Sequence, residues 1–277
     1  MITLLVGFDS AWTSTNSGAL VGVLQLDDGT LRELGPPRVA DYRDAEAVVL
    51  QWQAEQNPGA TIILLDQPTI VNNGTGQRPV ENLVGSPVSL RYGGMQPANT
   101  GKEDMFGKHA PVWPFLERFG GPADPLVPVA DTRVFETYPV LAMIALGWTV
   151  PDLRPAGRLP KYNPERRKTF SILDWQHVCG LVSCAYLERR LVRLVSWIDE
   201  ITQNGSPRKR DQDGLDACLC LLVALHMAER KDCLRIGDRQ TGYIVVPAGD
   251  GLRAELEARC RQTAREPSQW VRAFRMT

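Results

Sequence analysis

The sequence predicts an α/β fold, because apolar runs of strand length alternate along the chain with longer segments of helical period. The clearest runs are residues 2–9 and 60–66, and an acidic residue ends each of them. A third observation is the apolar helix predicted over residues 211–230, which contains three acids near its start, Asp213 and Asp216 among them. The chain has 277 residues, of which 43% are hydrophobic, so it can bury a full core as one large domain or two small ones.

The first part of the chain predicts a hairpin, a third strand, a helix and a fourth strand. In order, the elements are strands at 2–9, 18–26 and 30–39, a helix at 43–56 and a strand at 60–66. Residues 2–9 are continuously apolar, which is typical of a buried central strand. Asp27-Asp28-Gly29 is a turn signal that lets the third strand return beside the second. Asn57-Pro58-Gly59 ends the helix.

The rest of the chain predicts a long loop, a fifth strand and several helices. The predicted elements are a loop at 67–112, a strand at 132–136, a helix at 139–146, an irregular stretch at 151–163, helices from Asn163 and at 177–202, 211–230 and 250–264, and a short strand at 241–246. The loop is rich in Gly, Pro and Asn, and a loop of that length is usually functional or mobile. We therefore predict a single domain, 1–277, with a helical insertion at about 151–205.

Carboxylates stand one by one at the ends of these elements. Asp9, Asp66 and Glu136 end strands, whereas Asp213 and Asp216 lie at the start of the helix at 211–230. Acids at the carboxyl ends of strands point into the region where open α/β sheets carry their sites. Several acids converging there repel one another unless a cation holds them together. Asp213 and Asp216 are three residues apart and so share one helix face.

This pattern predicts a divalent-metal site made of oxygen ligands. We predict Asp9, Asp66, Asp213 and Asp216 as ligands of Mg²⁺ or Mn²⁺, with Glu136 as a further catalytic acid. Two such ions about 3.5–4 Å apart activate water and neutralise a scissile phosphate, so the predicted reaction is phosphodiester hydrolysis.

Each acid also has a structural interpretation. Asp9 fits a turn or cap, Asp66 a strand exit, and Asp213 a helix N-cap or first-turn residue. Glu136 fits an ion pair with an arginine such as Arg133 equally well. Asp216 has the weakest structural alternative.

The net charge of −1 hides an asymmetry. Residues 1–150 carry 9 Lys and Arg against 16 Asp and Glu, residues 151–210 carry 12 against 6, and residues 211–277 carry 10 of each. A basic segment beside an acidic metal site suits a polyanionic substrate, although arginine-rich surface helices explain the charge equally well. The candidate nucleic-acid contacts are Arg166, Arg167, Lys168, Arg208, Lys209 and Arg210. The pattern is compatible with DNA and with RNA.

Other residues are weaker candidates. Lys102, Lys108 and His109 lie in the long loop, where they approach a phosphate or stay solvated. Trp12 follows Asp9 closely, so it is a base-stacking residue or a core or rim aromatic. The sequence has no Gly-x-Ser-x-Gly turn, which disfavours a serine hydrolase of that type.

The composition favours a cytoplasmic protein. The six cysteines form no Cys-x-x-Cys pair, and the three histidines show no ligand spacing with them, so buried thiols are expected and a zinc site is not. We expect no secretory signal, since the N-terminus runs straight into a strand, and no membrane span, since no apolar stretch reaches about 18 residues.

The order of the elements resembles the ribonuclease H-like fold, which ribonuclease H, retroviral integrases and Holliday-junction resolvases share. A more detailed resemblance is to a large family of predicted nucleases with this fold, known as domain of unknown function 429. The motifs that carry it are Gly7-Phe8-Asp9, Asp66-Gln67-Pro68, Glu136-Thr137-Tyr138-Pro139, Asp213-Gly214-Leu215-Asp216-Ala217 and the late segment Gly242–Pro247. The resemblance implies a mixed five-stranded sheet flanked by helices, extra helices after the fifth strand, and nuclease activity.

Two other function classes stay open. The ATP-handling superfamily of actin, sugar kinases and chaperones has a related core, but residues 10–18 lack the Gly-x-Gly of its phosphate hairpin. A non-catalytic nucleic-acid-binding module on the same fold is the other alternative. A nuclease should bind Mg²⁺ or Mn²⁺ without nucleotide, a kinase with nucleotide, and a module neither metal nor nucleotide.

Overall fold

Nine strands and ten helices build the part of the chain that the structure, a computed structural model, describes: residues 1–85, 95–127, 131–153 and 157–276. The strands are β1 Thr3–Asp9, β2 Gly18–Gln25, β3 Leu31–Glu33, β4 Arg38–Ala40, β5 Ala60–Leu65, β6 Asp131–Glu136, β7 Cys233–Asp238, β8 Gly242–Pro247 and β9 Val271–Phe274. The helices are α1 Tyr42–Gln56, α2 Pro79–Gly85, α3 Glu103–Phe106, α4 Val112–Arg118, α5 Pro139–Ala145, α6 Ile172–Leu187, α7 Val192–Gln203, α8 Lys209–Ala228, α9 Asp250–Gln262 and α10 Pro267–Trp270.

The central sheet has the strand order β3-β2-β1-β5-β6, and β4 also pairs with β2. β1 is antiparallel to β2 and parallel to β5, and β5 is parallel to β6. This mixed, helix-flanked sheet confirms the predicted fold class. The predicted third strand is two short strands instead of one, so the sheet has six strands and not five. Gly35, with φ of +125°, and the two prolines after it interrupt the run, because proline cannot donate to a strand ladder.

The two faces of β1 pack against different layers because successive side chains of a strand alternate. Leu5 belongs to the core cluster that contains α8, whereas Leu4, Val6 and Phe8 belong to the cluster with α1 and α4. All four side chains are fully buried. Asp9 therefore leaves the sheet on the same face as Leu5 and Gly7, toward α8.

A second, three-stranded antiparallel sheet has the order β8-β7-β9. Only β8 was predicted. β7 and β9 are six and four residues long, and the sequence analysis missed both, although β7 forms a hairpin with β8 through the turn from Asp238 to Gly242. The Thr137 hydroxyl, just after β6, donates to the Val245 carbonyl over 2.8 Å and ties this sheet to the edge of the central one.

Three predictions for the helices were wrong in detail. Residues 164–169 form turns, not a helix that carries the basic residues. The predicted helix at 177–202 is two helices, α6 and α7, separated where Arg190 takes φ of +59°. The described part of the long loop contains α2 and α3, and α4 begins at its end.

None of the helices in the described ranges is long and apolar enough to cross a membrane. All six cysteines are free thiols, and five of them are buried, as the sequence predicts.

Candidate functional site

Four of the predicted acids, Asp9, Asp66, Glu136 and Asp216, line one cavity of about 310 Å³. Asp9 ends β1, Asp66 directly follows β5, and Asp216 lies in the third turn of α8. The register of the parallel strands pairs Phe8 with Leu65, so Asp9 and Asp66 follow side by side at the carboxyl end of the sheet. The backbone N–H of Asp66 donates to the Phe8 carbonyl over 2.9 Å and extends this pairing by one residue.

Helix α8 reaches the sheet through Gly7. A Cβ atom on Gly7 would lie 2.2 Å from the Ala217 carbonyl oxygen and 2.3 Å from the Leu221 nitrogen, so no side chain fits between strand and helix. Gly7 and Asp9 are two residues apart and share a face of β1. The helix backbone that packs on Gly7 therefore brings Asp216, next to Ala217, toward Asp9.

Burial is the largest electrostatic influence on Asp9, Asp66 and Asp216. It raises the pKa of Asp9 and of Asp66 well above 3.8, and it raises the pKa of Asp216 to about 6. Repulsion adds to this effect, since the charges of Asp216 and Asp66 raise the pKa of Asp9 further. The Lys209 ammonium acts in the opposite direction on all three. When the three acids are ionised, the positive charge of Lys209 only partly offsets their burial and mutual repulsion.

Two side chains that the sequence analysis did not single out orient Asp216. The Tyr162 hydroxyl donates to one carboxylate oxygen over 2.8 Å, and the Gln212 Nε2 donates to the other over 2.7 Å. Gln212 also lines the cavity, and its Oε1 is buried without a hydrogen-bond partner. A sequence signal for Gln212 existed, because a residue four positions before Asp216 shares its helix face.

Glu136 lines the cavity but is held as an ion-pair partner. Arg78 donates to both of its oxygens, over 2.8 and 2.5 Å, and the Thr69 N–H donates over 2.9 Å. Arg78 is 1% exposed and also donates from Nε to Glu81. The arginine that the sequence analysis suggested was Arg133, whereas this bidentate partner comes from the long loop. Burial raises the pKa of Glu136, and the charge of Arg78 opposes that rise.

Register explains why Glu136 differs from the other strand-end acids. Glu136 pairs with Leu65, one residue before Asp66. Since side chains alternate along a strand, Glu136 is out of phase with Asp9 and Asp66.

Asp213 is buried but does not line the cavity. Its carboxylate forms an ion pair with Lys209 one helical turn earlier. The structural alternative for Asp213 was an N-cap or first-turn residue, and that is wrong because α8 begins at Lys209. Asp211 takes the capping role instead, as its carboxylate accepts the Arg208 N–H over 2.7 Å.

Of the six predicted basic contacts, Lys209 lines the cavity. Arg166, Arg167 and Lys168 are exposed in the turns before α6. Burial raises the pKa of the cavity residue Tyr138, and the charge of Arg166 opposes that rise. Arg208 and Arg210 are exposed at the start of α8, and the Arg210 Nε lies 3.7 Å from Asp211.

Among the weaker candidates, Trp12 lines the cavity, whereas Lys102, Lys108 and His109 do not. Met95, Met105, Tyr138 and Asn163 complete much of the wall, and none of them was predicted. Across the described ranges, no three His, Cys, Asp or Glu side chains are grouped closely enough to hold a metal ion.

The comparison with known proteins identifies the family. A family model described as "Protein of unknown function (DUF429)" matches residues 7–241. No curated protein and no solved structure matches the chain significantly. The matched region contains Asp9, Asp66, Glu136, Asp213 and Asp216. Because it spans most of the 277 residues, the chain belongs to the DUF429 family of proteins of unknown function.

Proposed function

We propose that this protein is a metal-dependent nuclease that hydrolyses phosphodiester bonds. The observation that carries the proposal is the convergence of Asp9, Asp66 and Asp216, from two strand ends and one helix, on one cavity. Acids that are buried and repel one another are destabilising by themselves, so their presence together favours a cation as partner.

The donor set fits Mg²⁺ or Mn²⁺. All three acids offer carboxylate oxygens, and the unpartnered Oε1 of Gln212 adds a neutral oxygen at the same cavity. Mg²⁺ is commonly held by one or two carboxylates with water and substrate phosphate, so a site of this kind needs no closed group of three side chains. When bound, such an ion neutralises charge on the phosphate and makes water a better nucleophile.

The chain's own residues have separate roles in this proposal. Tyr162 and Gln212 fix the orientation of Asp216 through one hydrogen bond to each oxygen. Asp9 and Asp66 would hold the ion together with Asp216. Burial and the neighbouring charges raise the pKa of the Asp9 carboxyl, and a bound cation would favour its charged form. Lys209 places its ammonium at the cavity, where it can exchange Asp213 for a substrate phosphate. Arg78 is committed to Glu136 and Glu81.

We also propose nucleic acid, DNA or RNA, as the substrate and the cytoplasm as the location. Arg166 is close enough to the cavity for its charge to act on Tyr138, and Arg167 and Lys168 follow it as exposed residues, which suits contacts to a phosphate backbone. Six unpaired cysteines favour a reducing compartment.

The test is a Mn²⁺-dependent cleavage screen over single-stranded, duplex and branched DNA and RNA, paired with calorimetric titration of Mn²⁺. Asp9→Asn and Asp216→Asn should abolish cleavage and weaken metal binding. Asp199→Asn, which changes an exposed acid on α7, is the matched control and should behave as wild type. Metal binding only in the presence of ATP would favour the kinase-like alternative, and neither metal binding nor cleavage would favour a binding module.

A further inference from the structure

The residues that line the cavity are of two chemical kinds. They include the carboxylates of Asp9, Asp66 and Asp216 and the largely apolar side chains of Trp12, Met95 and Met105. A volume of about 310 Å³ lies at the lower end of the range for small-molecule sites, about 300–1,000 Å³. A cavity of this size can receive one nucleotide unit.

The backbone at Trp12 has an unusual conformation. The Thr13 N–H donates to the Ala11 carbonyl over 2.7 Å, which closes a three-residue turn with Trp12 at its centre. Trp12 has φ of +61°, a region that bulky residues rarely adopt. Such strained positions cluster at functional sites. A glycine would occupy this position without strain, so the requirement here is for the indole ring and not for the turn.

The ring of Trp12 is held in place and stays partly exposed. It packs against Phe106, with centroids 5.9 Å apart and planes at 75°, and it belongs to a small apolar cluster with Val71 and Ala98 from the long loop. This packing immobilises the ring at the cavity. Trp12 is only partly buried, so some of its surface remains accessible at the cavity.

We infer that Trp12 is the base-stacking platform of this site, so that the substrate enters as an unpaired nucleotide with its base on Trp12 and its phosphate toward the acids. The inference rests on the proposed function and narrows it to single-stranded or locally unpaired nucleic acid. Trp12 lies three residues after Asp9, so a base on the ring leaves its phosphate near the carboxylates. Base–aromatic stacking tolerates any base, so little sequence preference follows.

The experiment measures binding without cleavage, in an Asp9→Asn background with Mg²⁺ present. The probes are a short fluorescein-labelled single strand, the same strand with abasic positions, the blunt duplex, and a nucleoside monophosphate. Trp12→Gly should weaken single-strand binding about 5- to 150-fold, while Trp12→Phe should stay close to wild type because it keeps a ring. Trp270→Ala, which removes a tryptophan that packs on Arg265 away from the cavity, is the matched control.

The abasic strand separates stacking from a general loss of structure. If the base lies on Trp12, removing the base and removing the ring should have the same effect. Wild type should therefore bind the abasic strand about as weakly as Trp12→Gly binds the intact strand. Trp12→Gly should bind the abasic strand with nearly the same affinity as it binds the intact strand. A nucleoside monophosphate that competes as strongly as the strand would identify a free nucleotide as the ligand of the same stacking site.

The outcomes for Trp12 and for the nuclease are distinguishable. Equal single-strand affinity of Trp12→Gly and wild type, stronger binding of the duplex, or no binding of any probe would overturn the inference. Cleavage by the wild type that does not depend on Trp12 would leave the nuclease proposal standing and reject the stacking role. Trp12-dependent binding without Mn²⁺-dependent cleavage would support the stacking role and reject the nuclease.

Discussion

Gly7 and Ala217 are in backbone contact, at a separation that leaves no room for a Cβ atom on Gly7. This contact joins the central strand β1 to helix α8, and each partner is a close neighbour in sequence of a cavity acid. The distance between Asp9 and Asp216 is therefore set by how closely one glycine lets a helix approach a sheet.

Gly7→Ala should destabilise the protein and disturb the acid cluster together. The new methyl group would overlap the Ala217 carbonyl oxygen at 2.2 Å, and backbone cannot move aside as a side chain can. Overpacking of this kind costs about 1–3 kcal/mol or more. Denaturant unfolding should show a lower midpoint, and Mn²⁺ should bind more weakly.

The matched control is Gly180→Ala. Gly180 is exposed on α6, and a Cβ there meets open space. This change should raise stability by about 0.5–1 kcal/mol, because alanine loses less backbone entropy than glycine in a helix. A Gly7→Ala protein as stable as wild type would contradict the close packing of α8 on β1.

Asp216→Asn should remove a pH dependence of stability in the metal-free protein. The folded-state pKa of about 6 lies above the ordinary value of 3.8, so the native protein binds this proton more tightly than the unfolded chain does. Protonated Asp216 therefore adds to the free energy of unfolding. This contribution of about 3 kcal/mol is fully present below about pH 4 and is lost as the pH rises through 6. Asparagine does not titrate, so the variant should lose less stability over this range.

The measurement is urea unfolding from pH 3.5 to 8 in the presence of a chelator, repeated with Mn²⁺. Mn²⁺ should stabilise the wild type above pH 6 and leave Asp216→Asn nearly unchanged. Parallel stability curves for the two proteins would show that Asp216 is not held in a desolvated site.

Glu136→Ala should destabilise the protein strongly, in contrast to the cavity aspartates. The change leaves the guanidinium of Arg78 buried with Glu81 as its remaining acidic partner. Breaking a buried ion pair from one side typically costs about 3–5 kcal/mol. Thermal and urea unfolding of Glu136→Ala and Asp9→Asn, both without metal, give the comparison. Equal stability of Glu136→Ala and wild type would instead indicate that Glu136 acts mainly on a ligand.

Neutralising Arg166, Arg167 and Lys168 together should weaken binding of an uncleavable oligonucleotide and flatten its salt dependence. Each lost phosphate contact should reduce the log–log slope by about 0.7–0.9. The control neutralises Lys231, Arg253 and Arg261, which lie in a segment with no net charge. Affinity should be measured at several salt concentrations. An unchanged slope in the first variant would remove these turns from the nucleic-acid surface.

Much of the fold follows from local pattern. The apolar run of β1, the helix end at Asn57 and the long apolar helix α8 were predictable because each is set by residues close in sequence. The short strand β9 was not, since its pairing with β7 joins residues far apart along the chain. β7 was also missed, although it forms a hairpin with the next strand, β8. The basic residues at 164–169 were predicted to be helical and instead form turns. Local helix propensity does not decide the structure of this segment.

The position of each acid in its strand or helix could be predicted from the sequence, but its partner could not. From the sequence alone, Asp9, Asp66, Glu136, Asp213 and Asp216 are all candidates, because each stands at a strand end or on one helix. The packed fold separates them, since Arg78 pairs with Glu136 and Lys209 pairs with Asp213. It also brings Trp12 and Gln212 to the cavity of the acids and the Tyr162 hydroxyl to Asp216. The physical reason is that a carboxylate's position in an element depends on local periodicity, whereas its partner depends on which distant side chain the packed core brings within hydrogen-bond distance.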